Sequence, residues 1–114
     1  MTTTAKMSFS VLLRKEGDEW TAHCLELDIV ATGDSEEAVT NDLFSLIEAQ
    51  IDYALAHSNL KYLFKPAPDE DWRVYFSCTN TREVSRAFKS QFEQHKPMPT
   101  FITTNTCSPE LCFA

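Results

Sequence analysis

Glycine is almost missing from this chain: there are two in 114 residues, with five prolines as the only other strong backbone breakers. A hidden flexible linker would need more of either, so the chain reads as one domain with one core. No apolar run approaches the roughly 18 residues needed to span a bilayer, so no membrane contact is expected. No C-x-x-C pair is present among the four cysteines, and paired ligands of that kind are what a zinc site usually requires. His23 and Cys24 are adjacent, but neighbours on a strand point to opposite faces. No metal and no cofactor is therefore expected. Cys24 and Cys78 read as small buried hydrophobes, and Cys107 and Cys112 as a loose pair in the tail. The threonine-rich start, residues 1–6, lacks the apolar core of a secretory signal and reads as a disordered terminus, which makes a cytoplasmic location the expectation.

The absence with the most consequence is one of positive charge. Between Glu16 and Leu60 there are eleven carboxylates and no lysine or arginine, within a net charge of -7 for the chain. Phosphate binding depends on lysine and arginine displacing counterions, so this half of the chain should repel nucleic acid. An acidic surface steers a basic partner instead.

What is present alternates. Phe9, Val11 and Leu13 lie on one side of a strand over residues 8–15, with Ser8, Ser10, Leu12 and Arg14 on the other. Glu16-Gly17-Asp18 is a turn, and Trp20, Ala22 and Cys24 form the inward side of a returning strand. Leu25 to Asp28 is a connector. Ile29 to Thr32 makes a third strand that ends at Gly33. Asp34 or Ser35 then caps a helix whose first turn carries Glu36 and Glu37, suited to the positive end of its dipole.

That helix is expected from Glu36 to about His57, and its apolar stripe includes Val39, Leu43, Phe44, Ile47, Ile51 and Leu55. Glu37, Asn41, Ser45, Glu48 and Asp52 repeat on the opposite face. At about 1.5 Å per residue the helix runs about 33 Å, longer than strands of this size, so part of the stripe should seek a second subunit. Phe44, Ile51 and Leu55 are the expected oligomer interface. Beyond a proline-bearing loop, alternation over Trp72 to Cys78 predicts a fourth strand. Val84, Ala87, Phe88 and Phe92 predict a second helix ending before Pro97, and Phe101 to Thr104 an edge strand.

The string GDEWTAHCLELDIVATGDSEEAV over residues 17–39, set in this order of elements, resembles the HicB-like antitoxin family. Gly33, Asp34, Ser35, Glu37 and Ala38 carry the sharpest part of the likeness, which covers about residues 8–77. The resemblance implies a partial ribonuclease-H-like fold. It also implies a non-catalytic domain that binds and blocks a small basic toxin ribonuclease of the HicA type. Members of the family carry a separate C-terminal DNA-binding module. No helix-turn-helix or ribbon pattern follows Cys78 here, so the likeness stops short of a repressor.

The expected fold is thus α+β: an antiparallel sheet of three to four strands packed on one long helix, in the order β-β-β-α-β, with a second helix near the C-terminus. Residues 7–79 would form the HicB-like domain, and 80–114 a C-terminal helix and extended tail. A ribonuclease-H-like label invites a search for carboxylates that hold two magnesium ions. Asp18 and Asp34 have sufficient roles as turn and cap residues, Asp42 is a surface helix position, and Asp28 lies in a connector. The inward strand positions are apolar. Nothing flags a nucleophile for His23 to activate, and Arg82, Arg86 and Lys89 read as a solvated stripe.

No catalytic residue is expected. The function implied is capture of a small basic partner by Glu26, Asp28, Glu37, Glu48 and Asp52. Two alternatives stand beside it: a stand-alone homo-oligomeric relative without a toxin, and a metal-dependent nuclease. The charge pattern predicts that the isolated chain gives no electrophoretic shift of duplex DNA, including DNA upstream of its own gene, at physiological salt. A shift there would return the protein to the repressor class.

Overall fold

Apolar alternation on the first strand settles the core. The computed structural model describes residues 6–58, 62–78, 81–87 and 101–108. β1 (Lys6–Glu16) turns at Gly17-Asp18 into β2 (Glu19–Cys24), which runs back antiparallel with Glu16 opposite Glu19. Gly17 sits at φ +62°, the positive value that the first position of a two-residue hairpin turn demands. β3 (Ile29–Gly33) pairs antiparallel with β2, completing the meander that the alternation predicts.

α1 (Glu36–Ala56) follows, one residue shorter than expected. Of the two candidate caps, Ser35 is the one that acts: its Oγ accepts the Ala38 N–H at 3.0 Å. Val39, Leu43, Ile47, Ile51, Ala54 and Leu55 are buried against Phe9, Val11 and Leu13 of β1, Ala22 and Cys24 of β2, and Ala31 of β3. Each such leucine or isoleucine taken from water contributes roughly 1.5–3 kcal/mol.

From here the structure departs from the alternation. Residues 69–76 form a helix, α2 (Asp69–Phe76), where the sequence pattern predicts a strand over Trp72 to Cys78. Asp69, Glu70 and Asp71 occupy its first turn, where the dipole favours them. Trp72 meets Tyr75 edge-on and stacks on Phe76, the helical i+3 and i+4 neighbours, with centroids 6.3 and 5.7 Å apart. The apparent alternation is the two-residue shadow of this helical stripe.

β4 (Thr81–Ala87) replaces the expected second helix over its first residues. Its pairing with β5 (Phe101–Cys107) uses Thr81, Val84 and other strand-compatible residues, and tertiary pairing overrides local helix preference. Phe88 and Phe92, expected on that helix, lie outside the described residues, as do residues 1–5 of the expected frayed start 1–6, whose last residue, Lys6, instead opens β1.

β5 is not an edge strand. It inserts between β1 and β4, parallel to β1 and antiparallel to β4, in a five-stranded mixed sheet ordered β3-β2-β1-β5-β4. The fold class is α+β, as expected, but residues 101–107 are central to the sheet rather than part of a tail. Three of their threonines are buried. Thr103 exchanges a 2.7 Å hydroxyl bond with Ser85, and Thr104 Oγ1 donates to the Val84 carbonyl at 3.5 Å. A buried hydroxyl costs little once bonded, which lets a threonine-rich strand sit inside a sheet.

The opposite sheet face carries a smaller cluster: Leu12, Leu25, Ala67 and Cys107, with Trp72, Val74, Tyr75 and Cys78 packed on it. α1 and α2 therefore cover opposite faces. Tyr75 donates to the Asn105 carbonyl at 3.2 Å, and Arg14 on β1 reaches Asp71 at 3.5 Å. Cys107, expected in a loose tail, is joined by a disulfide to Cys78, expected as a small buried hydrophobe, with Cα atoms 6.2 Å apart. No helix among the described residues is long and apolar enough to cross a membrane.

Cys24 remains a free thiol, and burial pushes its pKa up to about 12. The reactive species is the thiolate, so this residue should be inert while the fold is intact. In a Cys112→Ser variant, Cys24 should resist a disulfide-exchange reagent until denaturant is added, and two further thiols should appear only after reduction. Rapid labelling of Cys24 in the native protein would contradict the buried placement.

Candidate functional site

The five carboxylates expected to meet a partner do not form one surface. Glu26 follows β2 in the connector and turns inward: its Oε1 accepts the Ser10 backbone N–H at 2.7 Å. Leu25 N–H donates to the Ser10 carbonyl at 2.9 Å, so the connector is stitched to both polar groups of Ser10. Glu26 thus supplies an acceptor to the sheet that a strand would otherwise supply. Asp52 lies in α1 and is only 3% exposed, and Glu48 one turn earlier is half-buried. Both were expected on an outer helix face. α1 is enclosed over a wider arc there than its apolar stripe alone indicates.

Asp28 and Glu37 are exposed. Asp28 sits at φ +53°, a left-handed conformation that aspartate tolerates better than most residues. Its Oδ1 lies 2.6 Å from Nε2 of His23, which pins the connector back onto β2. Glu37 projects from the first turn of α1, where the helix dipole favours a carboxylate. Beside them the exposed surface also carries Asp34 just beyond β3 and Glu19 at the start of β2.

The residues expected at an oligomer interface are placed differently. Ile51 is fully buried and Leu55 nearly so, both inside the core that the chain builds for itself. Phe44 packs on the margin of that core with the Arg86 guanidinium 4.8 Å from its ring centroid. The stripe does not outrun the sheet, because β5 and the segment around Leu63 extend the surface under the helix. Leu46 and Tyr53 are the large apolar side chains of α1 that stay exposed.

One cleft of about 450 Å³ opens between the start of α1 and β4, lined by Ser35, Glu36, Thr40, Asn41, Arg82 and Arg86 among others. Arg82 donates to Glu36 at 2.9 Å, and Arg86 donates to Asn41 at 2.7 Å. These two arginines, expected on a helix, instead fasten the β4 edge to α1. Sequence periodicity could not find this, because it requires knowing that residues 81–87 are extended. Lys89 lies outside the described residues. Among the described residues, no group of three or more histidine, cysteine, aspartate or glutamate side chains is placed to hold a metal ion.

Comparison of the chain with protein-family models, with curated proteins and with solved structures returned no match.

The geometry separates a structural carboxylate from surface ones. Glu26→Ala should lower stability by about 1–3 kcal/mol, because it leaves the Ser10 N–H without its acceptor. Glu37→Ala should stay within about 0.5 kcal/mol of the parent, as surface substitutions do. Equilibrium urea unfolding of both variants measures the difference, and equal midpoints would remove the structural role of Glu26.

Proposed function

We propose that this chain is a non-enzymatic binding module of the HicB-like antitoxin type, and that it captures a small basic protein such as a toxin ribonuclease. The observation that carries the reading is the continuous acidic segment folded as a meander and a capped helix. Residues 16–60 hold eleven carboxylates without a lysine or arginine, and β1, β2, β3 and the Ser35-capped α1 follow in the order the resemblance implies. A partial ribonuclease-H-like arrangement is supported by the parallel pairing of β5 with β1 across the helix.

A non-catalytic role is supported by the strand chemistry. Neither the stretch from Met7 to Leu13 nor that from Phe101 to Cys107 contains a carboxylate that could hold magnesium. The exposed carboxylates Asp28 and Glu37 are the contact residues on this reading, and Glu26, Glu48 and Asp52 support the scaffold behind them. Electrostatic complementarity of this kind mainly accelerates association and excludes acidic or phosphate-bearing competitors. The module would act in the cytoplasm on this reading.

The second reading, a stand-alone homo-oligomer, draws on the exposed Leu46 and Tyr53 of α1. Light scattering distinguishes it, since a monomer has a mass of 13.0 kDa.

RNA cleavage by a purified basic ribonuclease of the HicA type tests the main reading. Stoichiometric addition of this protein should suppress cleavage, and Asp28→Lys with Glu37→Lys should weaken the suppression at least roughly tenfold, about 1.4 kcal/mol. Undiminished cleavage at large excess, with the toxin encoded beside this gene, would sink the proposal.

A further inference from the structure

The two edges of the sheet are defended unequally. Long exposed edges invite pairing with another chain, and proteins blunt them with lysine, proline, bulges or a covering element. β4 carries Arg82, Glu83 and Arg86, and its arginines are fastened to α1. β3 reads Ile-Val-Ala-Thr-Gly, with no charge and no proline. Among the described residues it pairs only with β2. Ile29 and Ala31 turn into the core, which fixes the strand, while Val30 is 48% exposed and Thr32 is also exposed.

We propose that the β3 edge, open among the described residues, docks an extended, lysine- or arginine-bearing segment of a partner protein, which adds to the sheet as a further strand. The inference rests on the reading of this chain as a binder of a basic protein, and specifies how the partner is held. Main-chain hydrogen bonds to an edge supply affinity, and side chains at alternate positions supply selection.

The selection here is by charge. Asp28 flanks one end of β3 and Asp34 the other, both exposed, with Glu19 on the neighbouring strand, while Glu37 lines the cleft it shares with Arg82 and Arg86 of β4. Lys15 on β1 lies over the Trp20 ring at 5.5 Å, and Arg82 on the far edge strand is engaged by Glu36. A basic strand laid along β3 meets carboxylates at both ends. A second copy of this chain does not: two-fold antiparallel pairing of β3 with itself would bring Asp28 of each copy toward Asp34 of the other. Like charges so placed oppose the pairing. Nucleic acid is repelled by the same groups.

The test uses peptides of about ten residues, long enough for a strand. One alternates lysine with valine. A second has the same sequence with every backbone amide N-methylated, keeping the charge and removing the donors. A third alternates glutamate with valine. Fluorescence anisotropy should show binding of the first alone, weakening with added salt, and Val30→Lys should weaken it at least roughly tenfold while thermal unfolding stays unchanged. Amide resonances of Ile29 to Gly33 should shift on binding.

If the N-methylated peptide binds equally well, strand addition is wrong while charge-driven capture of a basic protein survives. If no basic peptide binds, the edge proposal falls, and toxin inhibition decides separately whether the broader reading stands. A mass of twice the monomer that Val30→Lys restores to one would show that a second copy occupies the edge, and would overturn the proposal.

Discussion

Burial of β1 on both faces and along both edges is the constraint from which the remaining architecture follows. Its odd positions Phe9, Val11 and Leu13 must be covered on one side, and Leu12 on the other. α1 satisfies the first requirement with a stripe at helical spacing, and α2 with the connector satisfies the second. β2 pairs with the second half of the strand, over Val11 to Glu16, and β5 with the first, over Lys6 to Leu12. A strand of 11 residues is thus shared between a local partner and one from the far end of the chain. Only the local pairing can form by a tight turn. The parallel pairing must wait for the helix crossover and the closure of a long loop, which is entropically slow.

The same arrangement explains how a strongly acidic segment folds at all. Carboxylates in the meander fall mostly at turns, strand ends and the first turn of α1, where water or the helix dipole compensates them. Glu26 departs from this pattern by serving as a hydrogen-bond acceptor for Ser10. His23 answers Asp28 across the connector, and Arg82 answers Glu36 from the far side of the sheet. The acidity that points to a basic partner is therefore partly spent inside the molecule. What remains outward includes Asp28 and Asp34 at the two ends of β3, a strand with one partner among the described residues.

α2 is only shallowly embedded. None of its residues is fully buried, and Phe76 is 73% exposed. Its attachment relies on half-buried aromatics, the Arg14–Asp71 pair, the Tyr75 hydroxyl and the disulfide at its C-terminal end. The layer over Leu12 is accordingly thinner than the layer over Phe9, and the binding reading places the partner away from it, at the β3 side of the sheet.

From residue 8 to residue 57, local chemistry was enough. Period-two alternation marked β1, β2 and β3, Gly17 marked the turn that needs positive φ, and Ser35 with Glu36 and Glu37 marked the start of α1. These signals are legible because each element there pairs with its sequence neighbour, so the pattern and the packing coincide. Beyond Leu63 they diverge. Trp72, Val74 and Phe76 satisfy a two-residue period while belonging to a helix, since a short aromatic stripe fits both periods. Thr103, Thr104 and Thr106 look like an outer strand, yet lie buried because Ser85 and the β4 backbone answer two of their hydroxyls. The interface expected at Ile51 and Leu55 rested on a sheet too small to cover α1, and both are buried in the chain's own core beside Ile102 of β5, unforeseen next to β1. Exposure of Asp28 and Glu37 against burial of Glu26 and Asp52 was likewise decided by tertiary contacts, because a carboxylate's sequence position carries no record of which neighbour will close over it.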